Sequence, residues 1–325
     1  VALTTGTATS YHDLLDKLRL YLVAQGWTQK AWTAPGSITA QASLQMMAPG
    51  SGTGREIYVN IKTVADATAG YYSWRVRGAT GYTAGATEGG NPGELQNDVY
   101  LNLWQNSITY WFYVSNRRFI VVAKCSTAYM SLYAGLFLPF GTPTQYPFPL
   151  FIGADYGKVA PWSQVNSARR MFCDPGGDLA SGQDSNAYYR TPGGSWQGIV
   201  NHDASASNDY GQSFTNGQAR MWPYSGDHFV STNSTYYEFG ASLAGAASGR
   251  ALDNFVATRQ GERWLWPVQI IKADEAPPGV LDGVFAVPGV GMAAEQVITA
   301  GGATHKAFQN ISRASGNDFF VIKEV

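Results

Sequence analysis

The chain has 325 residues and a formal net charge of −1, from 22 Lys+Arg against 23 Asp+Glu. Charged residues make up only 14% of it, where soluble domains average about 25%, while aromatics also reach 14% and glycines number 37. That balance leaves no electrostatic footprint for a nucleic-acid partner, and the length is ample for a core in one large domain or two ordinary ones.

The first element is a helix from Tyr11 to Ala24. Ser10 is placed to cap it, Asp13 to accept from the Ser10 amide in return, and Gly26 to stop it in the left-handed conformation. Leu14, Leu15, Leu18, Tyr21 and Leu22 form one apolar stripe, which is expected to pack on the sheet that follows. Trp27 and Trp32 lead into a Pro35-Gly36 turn and a loop from Ala48 to Gly54. From Glu56 the period falls to two: Ile57, Val59 and Ile61 alternate with polar residues, as do Tyr72, Trp74 and Val76. After a glycine-rich stretch, Gly78 to Gly93, further strands are expected at Val99–Trp104, Ile108–Val114, Arg118–Lys124 and Tyr129–Leu138, the last with small residues that also permit a helix. Ser115-Asn116-Arg117 reads as a hairpin turn with Asn116 able to take a positive φ.

From Cys125 to Ala154 no side chain is charged, yet the stretch carries aromatics throughout and four prolines between Pro139 and Pro149. Those prolines and the interspersed Ser, Thr and Gln exclude a membrane-spanning helix, which needs about 20 apolar helical residues. An extended, proline-stiffened arm is expected behind the Tyr129 strand. It can fold over its own core or lie on a neighbouring subunit. Beyond Asp155 the pattern weakens. Asp174 to Asn216 is loop-like, Val268–Lys272 reads as a strand, and the tail holds short β runs at Val284–Val287, Gln296–Thr299 and Phe319–Lys323. The resulting division is a helix-plus-sheet domain over 1–155, a loop-rich second β region over 156–278 and a β tail over 279–325. The fold class is α+β, mostly β, with the N-terminal helix packed on an antiparallel sheet.

Few chemical motifs stand out. The four histidines, His12, His202, His228 and His305, have no metal-ligand spacing. Gly50 to Arg55 is glycine-rich but precedes a strand, whereas a phosphate cradle needs a helix N-terminus after the glycines. Gly193-Gly194-Ser195-Trp196 resembles a nucleophile elbow only in composition. Asp174, Asp178, Asp184, Asp203 and Asp209 crowd one polar region, as two carboxylates of a glycan-cleaving enzyme would, although loop aspartates commonly make turns. Tyr188, Tyr189, Trp196, Tyr210 and Trp222 are candidate sugar-stacking platforms. Cys125 reads as a buried thiol, and a bridge to Cys173 is not expected without signs of an oxidising compartment. No charged leader with an apolar run is visible, so no signal peptide is expected. No cofactor and no metal are expected either.

Three strings carry more information: TTGTATSYHDLLDKLRLYLVAQGW near the start, YLNLWQNSITYWFYVSNRRFIVVAKCSTAYMSLYAGLFLPFG continuing to Ala154, and LDGVFAVPGVGMAAEQVITAGG continuing to the end. Together they resemble a family of structural proteins of tailed bacteriophages. The resemblance implies a component of the virion, assembled in the host bacterial cytoplasm, with no catalytic motif to carry across. Composition points the same way, because few charges and many aromatics match the make-up of interface cores. The expectation is a non-enzymatic subunit of the tail, baseplate or neck. It would form a homo-oligomer of cyclic symmetry, contact other virion proteins, and use Phe140, Tyr146, Phe148 and Phe151 as assembly contacts. The alternatives are an adhesin that binds a host surface glycan through Trp196 and Trp222, a capsid decoration protein, or a glycan depolymerase.

Overall fold

The computed structural model describes residues 1–50, 55–86, 89–155, 159–164, 187–199, 219–222, 265–272, 276–287, 292–309 and 319–324. Strands hold 54% of these residues and helix 8%, so the protein is mostly β, with one α-helix among the described residues, near the start. In chain order the elements are β1 (Ala2–Ala8), α1 (Tyr11–Ala24), β2 (Thr28–Thr33), β3 (Ser43–Ala48), β4 (Ile57–Asp66), β5 (Tyr71–Ala79), β6 (Val99–Leu103) and β7 (Ile108–Val114). There follow β8 (Arg118–Cys125), β9 (Ala128–Leu136), β10 (Leu138–Pro139), β11 (Leu150–Gly153), β12 (Ala187–Arg190) and β13 (Trp196–Gly198). The last are β14 (Ala219–Trp222), β15 (Trp266–Lys272), β16 (Gly279–Ala286), β17 (Val297–Ala300), β18 (Ala303–Gln309) and β19 (Phe319–Lys323). Two compact units result, the first drawn from Val1–Phe137, Thr142–Val165 and Ser185–Gln197, the second from Leu138–Gly141, Asn166–Asp184 and Gly198–Val325.

The first unit is a two-sheet sandwich closed by the helix. One sheet runs β1-β7-β8-β9-β11-β12-β13 and the other β2-β3-β4-β5-β6. Alternate residues meet between them: Tyr110, Phe112, Phe119, Val121, Met130 and Leu132 from the first sheet join Leu44, Val59, Ile61, Trp74, Val76 and Leu101 from the second in one core. Period-two alternation thus does what the sequence pattern requires in β4 and β5. Strands β7, β8 and β9 differ, because their other face is buried too, with Tyr113, Ile120, Val122 and Tyr133 at no more than 1% exposure. Strands buried on both faces carry continuous apolar runs, and this accounts for the uncharged stretch that begins at Cys125.

Helix α1 begins and ends at the expected residues. Ser10 Oγ accepts from the Asp13 amide at 3.2 Å. The Asp13 carboxylate does not return the bond to Ser10; it accepts from the Thr9 amide at 2.7 Å and the Thr9 hydroxyl at 3.2 Å. A carboxylate in the first turn still gains from the helix dipole there. Leu14, Leu15, Leu18 and Leu22 are buried with Tyr11, whereas Tyr21 is half-buried against Phe112. Indole donors tie the helix ends into the sandwich. Trp74 Nε1 donates to the Tyr11 carbonyl at 3.0 Å, and just beyond the helix Trp27 Nε1 donates to the Ser115 carbonyl at 2.8 Å.

Strands β1, β2 and β3 lie in segments where no strand was expected, and β12 and β13 lie inside the segment 174–216 that reads as loop-like. β1 is rich in Thr and Gly, and β2 is irregular, with a register shift between Gln29 and Ala31. The β7–β8 hairpin forms as expected, but Asn116 does not take a positive φ. Instead Ser115 Oγ accepts from the amides of Arg117 and Arg118, closing the turn from the side chain. The positive φ falls on Ser126, at +55°, in the next turn.

The second unit is built on a sheet ordered β14-β15-β16-β19-β18-β17, with the short β10 paired to β16. Val287, Ala307, Phe319 and Val321 form a small core with Leu265, Phe285, Met292 and Ile298 packed on it. Gly301 and Gly302 both have positive φ, at +58° and +74°, as a tight hairpin between β17 and β18 requires. Strand β18 was not expected from the sequence, although the run at Phe319–Lys323 is β19 with the same bounds.

Gly135 marks a close backbone approach between neighbouring strands of the first unit. Its φ is +136°, and a Cβ placed there would stand 2.4 Å from the Arg117 carbonyl oxygen and 2.5 Å from the Arg118 Cα. Neither backbone atom can swing away. Gly135→Ala is therefore expected to destabilise the fold by about 2–3 kcal/mol or more, read as a lowered midpoint of urea unfolding.

Candidate interaction site

The proline-rich segment after β9 folds into a turn, not into a continuous extended arm. The Thr142 amide and hydroxyl both donate to Gln145 Oε1, at 3.0 and 2.9 Å, and the Tyr146 amide donates to the Thr142 carbonyl at 2.9 Å. The four aromatics expected as assembly contacts end up in different places. Phe151 is fully buried on β11, with its ring edge-on to Tyr133 at 5.5 Å. Tyr146 is 2% exposed and edge-on to Phe137 at 5.4 Å. Phe148 is half-buried on the sandwich core. Phe140 alone presents most of its ring to solvent, at 61%.

Tyr146 links this turn to the β12–β13 hairpin. Its hydroxyl donates to the Arg190 carbonyl, and its own carbonyl accepts from Arg55 Nη1 at 3.4 Å. Burial, with Tyr189 adding to it, pushes the Tyr146 phenol well above its usual range, so it stays a neutral donor. Burial likewise pulls the Arg190 guanidinium below its ordinary value. That guanidinium lies over the Phe148 ring, 5.6 Å from its centroid.

The hairpin tip is Thr191-Pro192-Gly193-Gly194-Ser195. The Thr191 amide donates to the Ser195 carbonyl at 2.8 Å, the Gly194 amide to the Thr191 carbonyl at 2.9 Å, and Gly194 has φ +92°. This is a three-residue loop with a left-handed glycine in the bulge position. It sets Arg190 and Trp196 at opposing register positions. The Thr191 and Ser195 hydroxyls stand 2.9 Å apart, with Ser195 exposed.

Trp196 is less open than a sugar platform would need to be. Its Nε1 donates to the Gly93 carbonyl at 2.9 Å, and its ring packs beside Gly78, where an added Cβ would come within 3.2 Å. Tyr188 and Tyr189 are buried, at 8% and 1%. Trp222 ends β14, but its side chain lies outside the described residues, as does Tyr210. The cluster around Arg190 was not anticipated from the sequence. The signal was present in TPGGS, a turn between two aromatic β runs, which brings Arg190 opposite Trp196.

Other polar groups serve the fold. Asp98 accepts from Arg77 Nη2 at 2.6 Å and Nε at 2.9 Å, and lies 3.7 Å from Arg75 Nη1. Tyr100 donates to the same carboxylate at 2.8 Å, and burial together with Asp98 raises its phenol to about 12. The glycine-rich loop is held by Glu94, whose Oε2 accepts from the Asn91 amide and side chain at 3.0 and 2.8 Å. His12 Nε2 lies 3.1 Å from Thr63 Oγ1, which accepts from the Ala42 amide at 2.7 Å. His305 is 4% exposed and edge-on to Phe285 at 5.3 Å. Cys125 is buried at the end of β8. Asp174, Asp178, Asp184, Asp203, Asp209, His202, His228 and Cys173 lie outside the described residues. Among the described residues, no group of three His, Cys, Asp or Glu could hold a metal ion, and no helix is long and apolar enough to cross a membrane. No family model matches the chain, and no curated protein matches it either.

Two predictions follow from this placement of side chains. Phe151→Ala should cost about 3–5 kcal/mol of stability, whereas Phe140→Ala should change it by less than about 0.5 kcal/mol, both read from urea unfolding midpoints. Burial lowers the imidazole values of His12 and His305 below 6.5. The unfolded chain then takes up protons at a higher pH than the folded one. Their contribution to stability is complete above pH 6.5 and is lost as pH falls from there towards the folded values. Between those limits, the double variant His12→Gln, His305→Gln should lose less stability on acidification than the parent chain.

Proposed function

We propose that the protein is a non-enzymatic structural subunit of a tailed-bacteriophage virion, placed in the tail, baseplate or neck and acting through contacts with copies of itself and with other virion proteins. The observation that carries this reading is the state of its sheet edges. Strand β1, ALTTGTA, has no charged residue and pairs in unbroken register with β7, from Ala2 opposite Val114 to Ala8 opposite Ile108. Its other edge has no strand partner among the described residues. Strand β17, VITA, is another uncharged edge, with Val297 51% exposed.

Monomeric proteins commonly blunt such edges with lysine, proline or a bulge. This chain does so at β2, which carries Lys30 and the register shift after Gln29. At β1 it has neither. An unprotected edge supplies backbone hydrogen bonds to a second strand without needing charge complementarity, which suits a surface with few charges. The resemblance of the chain's start, middle and end to virion structural proteins supports the same reading. Phe140 is the most exposed of the four expected contact residues, and in this reading it meets a neighbour.

The test is solution mass by light scattering at several concentrations. A discrete oligomer, such as a trimer or hexamer, is expected. Thr5→Lys with Thr7→Lys, both at exposed positions of β1, should return the protein to monomer while its thermal midpoint stays within a few degrees. A parent chain that stays monomeric at every concentration would overturn the self-assembly on which the reading rests.

A further inference from the structure

Arg55 and Arg190 differ from the other described cations that form ion pairs. Arg19 pairs with Asp16 at 2.7 Å, Arg77 with Asp98 at 2.6 Å, Lys17 with Asp13 at 3.6 Å and Lys306 with Glu324 at 3.7 Å. Arg55 and Arg190 have no carboxylate within that reach among the described residues. Both are half-buried and both contact Tyr146: the Arg55 guanidinium donates to the Tyr146 carbonyl, and the Tyr146 hydroxyl donates to the Arg190 backbone carbonyl. Arg190 Nε is sealed from solvent and has no hydrogen-bond partner. The sealed Nε is closed to an incoming anion, which leaves the Nη edge of this half-desolvated guanidinium as the donor for one.

The surroundings narrow the anion's chemistry. Phe148 holds one face of the Arg190 guanidinium, and Gly194 lies against its edge, where an added Cβ would come within 2.9 Å of Nη2. The fork is held in place before any ligand binds, so little freedom is lost on binding a planar carboxylate. On the adjoining turn the Thr191 and Ser195 hydroxyls form an exposed pair. Neither bonds a histidine or a carboxylate among the described residues, so the pair is not an activated nucleophile. A fork for a carboxylate beside paired hydroxyls, on a small convex tip, matches one acidic monosaccharide unit better than a peptide, which would need a groove. We propose that the β12–β13 hairpin tip, with Arg190, Thr191 and Ser195, binds the carboxylate and adjacent hydroxyls of an acidic sugar, and that Arg55 adds positive potential. The site is independent of the self-assembly proposed above.

The experiment is calorimetric titration of the full chain with sodium glucuronate and N-acetylneuraminate, with glucose, acetate and a glutamate-rich peptide as comparison probes. Saturable binding of at least one acidic sugar and none of glucose is expected. Arg190→Lys should weaken it about tenfold or more, because lysine keeps the charge and loses the fork. Ser195→Ala, an exposed change that leaves folding untouched, should weaken it several-fold. Four results would overturn the proposal: no saturable binding of either sugar, acetate binding as well as the sugars, the peptide binding more tightly than both, or Arg190→Lys without effect at an unchanged thermal midpoint.

Discussion

Everything in the first unit depends on three strands that are covered on both sides. With β7, β8 and β9 buried front and back, their side chains have no solvent face to which a charge could be assigned. Arg118 and Lys124 are the exceptions. Arg118 is completely buried and its Nη1 donates to the Tyr113 carbonyl at 3.3 Å, whereas Lys124, half-buried near the strand end, lies over the Tyr129 ring. Such strands must also fit their neighbours closely on two sides. The glycine at position 135 is one product of that demand, since β8 and β9 approach each other there without room for a side chain.

The same constraint decides how much of the fold could be read from the residues. Where a strand is covered on one face, as in β4 and β5, alternation gives both its presence and its orientation. Where it is covered on both, as in β7 and β8, apolar content gives its presence but not which residues face the β2–β6 sheet. β1 and β2 escaped notice for the opposite reason. They are edge strands, and their residues are those of a partly exposed ladder with no stripe to reveal it. Helix α1 was legible down to its ends because capping chemistry is local. The exchange of Thr9 for Ser10 as the partner of Asp13 is a matter of one residue's geometry, which sequence spacing does not resolve.

The interaction site was legible only in fragments. Phe148 and Trp196 were singled out as aromatics, but for surface roles, and both are partly committed to packing. What sets Arg190 and Arg55 apart is that neither forms an ion pair among the described residues, and ion pairing is a property of three-dimensional arrangement. In a chain this sparse in charges, Asp16 and Asp98 are taken by Arg19 and by Arg75 and Arg77, and which cations are left without an ion pair among the described residues emerges only once those pairs are made.

The register of β1 on β7 also bears on the order in which the fold can form. Ala2 finds its partner at Val114, across a loop that holds α1 and the whole of the second sheet. The β7–β8 and β8–β9 hairpins close over short turns and need only local search, so they can provide a template long before the chain's first strand arrives. The strand that completes the sheet is thus the one added at the greatest loop-closure cost. Until it docks, the exposed flank of β7 is a place where the same strand of a second copy could bind in its stead, so this topology leaves exchange of β1 between two chains open.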